Sequence, residues 1–243
     1  MHLVIQMNSK VALQPAVVLH KRPYKETSFL VEFFTQDFGR IAVVAQGVRR
    51  PKSPLRETFL PFGILLITYS GKKDLKKLFD TEVYYRPKNV PKMSYACLIY
   101  INELIMSFLH KEDPHLNLFK SYVNFCKKIE NLENQLEIEK MLRKFELSLL
   151  QEIGYGIDLK RDAETGDYLK PDTFYELDPV QGFIPSKNVS QDNNNYFKGE
   201  DIISFAKNEF DTKNARKVAK LITRHAIDYR LDGKEIKSRK TFS

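Results

Sequence analysis

The chain has 243 residues, 42% of them hydrophobic, and a formal net charge of +8. That length and apolar content build one large or two small hydrophobic cores and exclude a disordered polymer. The most apolar stretch, Tyr95 through Ile101 to Leu109, is interrupted by Asn102 and Glu103 and falls short of the ~18–20 apolar residues that span a membrane.

The charge is unevenly placed. Residues 1–90 hold 15 Lys and Arg against 7 Asp and Glu, residues 91–210 hold 14 against 20, and residues 211–243 hold 10 against 4. Two basic ends around an acidic middle suit a polyanionic partner, because Lys and Arg gain affinity by releasing counterions from phosphates. Met1–Lys10 lacks a basic, apolar and small-residue leader pattern, so no signal peptide is expected. The two cysteines, Cys97 and Cys126, sit in apolar patterns and form no C-x-x-C pair. A cytoplasmic location follows as the expectation.

The first ~85 residues read as strands separated by turns. Pro15–His20, Ser28–Phe34, Arg40–Gln46, Gly63–Tyr69 and Leu78–Tyr85 give five short segments, with a tight turn at Asp37-Phe38-Gly39. Five strands in this length fit an OB-type Greek-key barrel better than a sandwich. The longest gap, Gly47–Pro61, carries prolines and charges and reads as an exposed loop or short helix. Arg86–Lys92, with two prolines, marks the expected boundary between domains at 1–85 and 86–243.

Helical spacing then takes over. Cys97, Ile101, Leu104, Ile105 and Phe108 define one helix over Met93–Leu109. Phe119, Val123, Cys126 and Ile129 define a second, opened by Pro114. Ile138, Met141, Leu142, Phe145, Leu149 and Ile153 define a third, stopped by Gly154 and Gly156. Asp158–Gly199 loses periodicity and reads as an irregular, partly extended insertion. Helical pattern returns over Asp201–Phe210 and Lys213–Tyr229, where Ala215, Val218, Ile222 and Tyr229 form an apolar face. The fold class is α+β: an N-terminal five-stranded OB-type barrel followed by a mainly α-helical domain with an irregular, cysteine-free insertion at about 158–199 and a C-terminal basic helix at 213–230.

Several segments, in order, resemble the bacterial RecO family of recombination mediators. They are Ala16–Gly47, with Arg22–Ser28 inside it; the basic loop Val48–Phe62; Tyr100–Leu104; Leu142–Leu147 leading to Gly154-Tyr155-Gly156; and the tail through Gly233-Lys234 and Lys237-Ser238-Arg239. The resemblance covers most of the chain. It implies binding to single-stranded and double-stranded DNA, annealing of complementary strands, and a partnership with RecR. It also implies loading of RecA onto DNA coated by single-strand binding protein (SSB), contact with the SSB C-terminal tail, and a cytoplasmic protein that is nucleoid-associated when acting. Many members of the family carry a four-cysteine zinc site in the insertion. Asp158–Gly199 contains no cysteine and no histidine, so this chain is expected to be a zinc-less member. Packing of Phe174, Tyr175 and Phe183 is expected to hold that region instead.

Single-stranded DNA is held by a cationic track for the backbone and aromatic faces for the bases. The basic candidates in the barrel are Arg22, Lys25, Arg40, Arg49, Arg50, Lys52 and Arg56. Tyr24 and Phe38 lie among them as candidate stacking rings, with hairpin core as the competing reading. On the last long helix, Arg216, Lys220 and Arg224 recur at about one turn, beside Lys217; a solvated helix face is the plain alternative. Arg143 and Lys144 are candidates for the acidic SSB tail, against an internal ion pair to Glu139 or Glu146. Asn102 and Glu103 in an apolar helix are expected to make a structural hydrogen bond across the domain junction.

No catalytic residue, metal or cofactor is expected. The five histidines lack metal-ligand spacing, and neither a G-x-x-x-x-G-K-[ST] loop nor a G-x-S-x-G elbow is present. The alternatives to a non-enzymatic annealing factor are an RNA-binding OB protein and a metal-dependent nuclease.

Overall fold

The computed structural model describes residues 5–7, 10–53, 55, 57–71, 74–186 and 195–242. The chain divides into two compact units, Met1–Glu133 with Ile236–Ser243, and Asn134–Glu235.

The first unit opens with strands β1 (Ile5–Met7), β2 (Lys10–Tyr24), β3 (Ser28–Thr35), β4 (Gly39–Ala45), β5 (Ile64–Ser70) and β6 (Leu75–Tyr85). Strands β2 to β6 close the expected five-stranded OB-type barrel. The order is β2-β3-β4-β6-β5 with β5 paired back onto β2, and the short β1 adds to β2. Every pairing is antiparallel except β4 with β6.

Strand β2 runs well beyond the expected Pro15–His20 because it serves three neighbours, β1, β3 and β5. Its pairing slips between Val11 and Gln14 and again between Val18 and His20. Such bulges let one strand bend around a barrel. At the first slip Leu13 adopts φ +53°, and its N–H donates to Thr68 Oγ1 at 3.3 Å. Alternation then sorts the side chains: Val18, Val31, Phe33, Ile41, Val43, Leu65 and Ile67 fill the interior. At the β3–β4 turn Gly39 has φ +63°, and a Cβ there would lie 2.0 Å from the Asp113 carbonyl oxygen. Only glycine fits that turn.

Helices α1 (Lys92–Phe108) and α2 (Leu116–Lys128) pack within the same unit. Phe34, on the outer face of β3, meets Phe119 of α2 with ring centroids 5.5 Å apart. The buried Asn102 amide donates to the carbonyls of Val18 and Leu19 at 3.3 and 2.9 Å and accepts from the Tyr122 hydroxyl at 2.6 Å. It ties helix to barrel as a satisfied polar bridge, where an unpaired amide would cost about 1–3 kcal/mol. Glu103 accepts from the backbone N–H groups of Lys237 and Ser238 at 2.9 and 2.8 Å. It thereby caps the 3-10 helix Lys237–Phe242. Burial works to raise this carboxyl, but the hydrogen bonds from Ser238 and Lys237 outweigh it and hold its pKa below the ordinary value.

The change from strand to helix falls between Tyr85 and Lys92, yet the compact units do not divide there. Asn102 binds α1 to the barrel and Glu103 binds the C-terminal segment to α1, so the first unit takes in both helices and the chain's end.

The second unit begins with α3 (Gln135–Glu152), whose N-cap Asn134 accepts from the N–H groups of Leu136 and Glu137. Gly154 follows the helix at φ +82°. The stretch expected to be irregular contains a small antiparallel sheet of β7 (Phe174–Asp178), β8 (Gly182–Ser186) and β9 (Tyr196–Lys198), with β7 central. Helices α4 (Gly199–Ala206) and α5 (Lys213–Leu231) complete the unit.

Tyr175 and Phe183 enter the core with Phe197, but Phe174 stays 39% exposed, because strand alternation turns it away from the face that carries Tyr175. Asp162 organises the approach to the sheet: it accepts from the N–H groups of Glu164 and Thr165 at 3.1 and 2.7 Å and from the Thr165 hydroxyl at 2.8 Å. Those bonds hold its carboxyl below the usual range. Tyr229 leaves the expected apolar face of α5 and is 51% exposed. The Arg230 guanidinium stacks on its ring at 4.8 Å and on Tyr155 at 3.8 Å.

Candidate nucleic-acid interface

The β2–β3 turn and the loop after β4 meet at one mouth of the barrel. The Arg49 N–H donates to the Thr27 carbonyl at 2.8 Å, and its guanidinium donates to the Lys25 carbonyl at 3.1 Å. Lys25 sits at φ +51°, with its ammonium 5.6 Å from the Tyr24 ring. Sequence candidates 24 residues apart are thus brought together: Lys25 and Arg49 are exposed and Tyr24 is half-buried beside them. Arg50 and Lys52 extend the same loop into solvent. Arg22 is exposed as well, on the opposite face of β2 from Lys21. Arg56 lies outside the described residues.

Two residues here escaped the sequence reading. Lys21 pairs with Val31, an interior position, and Phe29 pairs with Pro23. Phe29 packs partly buried against the barrel core. The Lys21 ammonium lies 5.3 Å from its ring and the Arg49 guanidinium 6.0 Å. Burial lowers the Lys21 pKa from the usual lysine value. The alternation of β2 against a hydrophobic β3 was the available signal. It was masked because the bulge at Leu19 shifts the alternation before Lys21.

The other barrel candidates are committed to the fold. The Arg40 side chain is only 14% exposed, lies 3.7 Å from Glu32 Oε2 and donates to the Met106 carbonyl near the end of α1. Phe38 packs partly buried against the barrel core and meets Tyr69 edge to face at 6.2 Å. The core reading of that ring is the one its contacts match.

In the second unit the basic row of α5 lies along α3. Arg216 reaches Glu139 Oε2 at 3.7 Å and is half-buried. Lys220 is exposed only in part; partial desolvation lowers its pKa first, and the like charges of Arg224 and Arg143 add to that. Arg224 is half-buried, and Lys217 is exposed. Arg143 is 7% exposed. It pairs with Glu146 at 2.9 Å and donates to the Thr223 hydroxyl at 2.8 Å. It is an internal tie between α3 and α5, as the ion-pair alternative describes, while Lys144 beside it is exposed.

Among the described residues no group of three or more His, Cys, Asp or Glu side chains is placed to hold a metal ion. No helix among them is long and apolar enough to cross a membrane.

Residues 7–85 match the family described as Recombination protein O N terminal, and residues 93–240 match Recombination protein O C terminal. The chain is similar to the DNA repair protein RecO of Coxiella burnetii, strain RSA 331, 36% identical over 234 residues that cover 96% of this chain and 98% of that protein. It is also similar to the DNA repair protein RecO of Marinobacter nauticus, 35% identical over 242 residues, 98% and 96% of the two chains. That of Glaesserella parasuis is 37% identical over 229 residues, 94% of each. With an OB-type barrel, a cation-flanked aromatic ring at its mouth, and matches running from one end of the sequence to the other, the chain belongs to the RecO family of DNA repair proteins.

Proposed function

We propose that this protein is a non-enzymatic recombination mediator. It binds single- and double-stranded DNA, anneals complementary strands and, with RecR, helps load RecA onto SSB-coated single-stranded DNA. The observation that carries the reading is the mouth of the barrel, where Lys21 and Arg49 flank Phe29 and Lys25 sits over Tyr24. Aromatic faces receive bases of any sequence, and the surrounding cations meet phosphates. Annealing then needs no bond-making step. Neutralised strands repel each other less, and base pairing supplies the free energy. Lys217, Lys220 and Arg224 are proposed as further phosphate contacts, and the exposed Lys144 as the residue that meets the acidic SSB tail.

Gel retardation of a single strand at low salt and an annealing assay without nucleotide test the reading. Binding that weakens steeply with salt, and faster annealing, are expected. A protein that does neither overturns it. RNA of equal length competing as well as DNA would transfer the site to RNA, because the 2′-OH is the feature by which a site tells the two apart.

A further inference from the structure

A second aromatic ring of the barrel is dressed in the same way and lies away from the mouth. The pairing of β5 with β6 runs Thr68 with Asp80 and then Tyr69 with Leu78, which leaves Phe79 as the extra residue of a bulge. Leu78 points into the core, whereas Phe79 is 54% exposed. Bulges re-aim side chains in this way. Ser70 of β5 pairs with Lys10 of β2 on one side and Lys77 of β6 on the other. The two lysines therefore flank the ring from different strands, with their ammonium groups 5.3 and 5.2 Å from its centroid. Both lysines are exposed. The neighbouring Asp80 carboxylate accepts locally from the Thr81 N–H at 2.8 Å.

We infer that Phe79, with Lys10 and Lys77, is a second base-stacking platform that holds one nucleobase of a single strand and its adjoining phosphates. The inference rests on the reading of the barrel as a DNA-binding fold. An exposed ring gains nothing for the core, and two like charges beside it suit an anionic ligand with a flat face. The lysines do not bar the ring. An exposed ammonium–ring contact is worth a factor of roughly 2–5, a stacked base a factor of roughly 5–150, and the displaced ammonium groups turn to the phosphates. A platform here gives the strand a foothold apart from the barrel mouth, and two footholds on one chain raise the effective concentration of the second contact.

The chain contains no tryptophan, so Phe79→Trp places a single reporter in the ring's position. Oligothymidylate should quench its emission in a saturable, salt-sensitive way. Phe79→Leu keeps an apolar side chain without the aromatic face. It should lose roughly five-fold or more in affinity for oligothymidylate and less than about two-fold for a duplex, whose bases are already stacked. Lys10→Gln with Lys77→Gln should weaken both ligands and flatten the salt dependence. Circular dichroism of each variant should match the parent, since all three side chains are exposed. If the parent binds oligothymidylate but the reporter's emission stays unchanged at saturation, or Phe79→Leu binds as the parent does, the platform is overturned while the barrel-mouth reading stands. Emission that responds to a protein partner and not to the oligonucleotide overturns it equally. A parent that binds no DNA at low salt overturns both.

Discussion

The barrel mouth and the α3–α5 pair are both basic in sequence, and they use that charge in different ways. At the mouth, Lys25, Arg49, Arg50 and Lys52 are exposed, and the cations gather around Tyr24 and Phe29. In the α3–α5 pair, Arg216 of α5 leans on Glu139, and Arg143 of α3 is sealed between Glu146 and Thr223. Only part of that row is left for a ligand. The difference shows that a count of cations measures net charge, whereas their availability depends on the acidic residues that the fold places beside them.

The contrast can be broken most forcefully at Arg143. Glu146→Ala strands a buried guanidinium and should cost about 3–5 kcal/mol, read as a lower midpoint in urea. Replacing both partners together, Arg143→Met with Glu146→Leu, should recover most of that loss. If the single and the double replacement are equally harmful, the pair is not a closed internal tie.

Next in size is the mouth. Lys21→Gln with Arg49→Gln should weaken single-strand binding roughly ten-fold or more. The slope of log affinity against log salt should become shallower by about 0.7 for each phosphate contact removed. Lys217→Gln with Arg216→Gln on α5 should change binding by less. A larger effect from α5 would reverse the ranking of the two regions.

Asp162→Ala tests the cysteine-free region. It frees the Glu164 and Thr165 N–H groups and the Thr165 hydroxyl and should destabilise the second unit, read as a lower midpoint in urea. DNA binding at the barrel should be unaffected, as hydrogen exchange and a titration would show.

The smallest expected effect is a pH dependence at Glu103. Its pKa in the folded chain is below the unfolded value. The stability it contributes is therefore complete above the ordinary carboxylate pKa of ~4.3. It is lost as pH falls through the lower folded value. Acid unfolding of Glu103→Gln should show a shallower dependence in that window than the parent.

Much of the barrel was legible because strands announce themselves by β-branched and aromatic runs between turns. The shared length of β2 was not, since a strand that pairs with several neighbours carries no mark of each one. Asn102 was readable as a polar interruption of an apolar helix. Its partners, two β2 carbonyls and Tyr122, lie far off in the sequence. Lys25, Arg49 and Tyr24 were recoverable as basic and aromatic residues near turns. Arg40 and Phe38 look the same in a linear reading, yet the fold spends one on an α1 carbonyl and the other on the barrel core. The sheet of β7, β8 and β9 was hidden because its strands span only three to five residues, too few for a period to emerge.

By itself the sequence determined the order of the elements, the OB-type barrel ahead of helices, the basic ends and the membership in a family. Each of these depends on neighbours along the chain, or on the chain as a whole. Only the tertiary structure decided which cations remain open to a ligand, which rings are core and which are faces, and that the C-terminal segment belongs with the barrel. Those outcomes depend on distances between residues remote in sequence, where a single carboxylate or carbonyl within hydrogen-bonding reach decides whether a charge is spent or exposed.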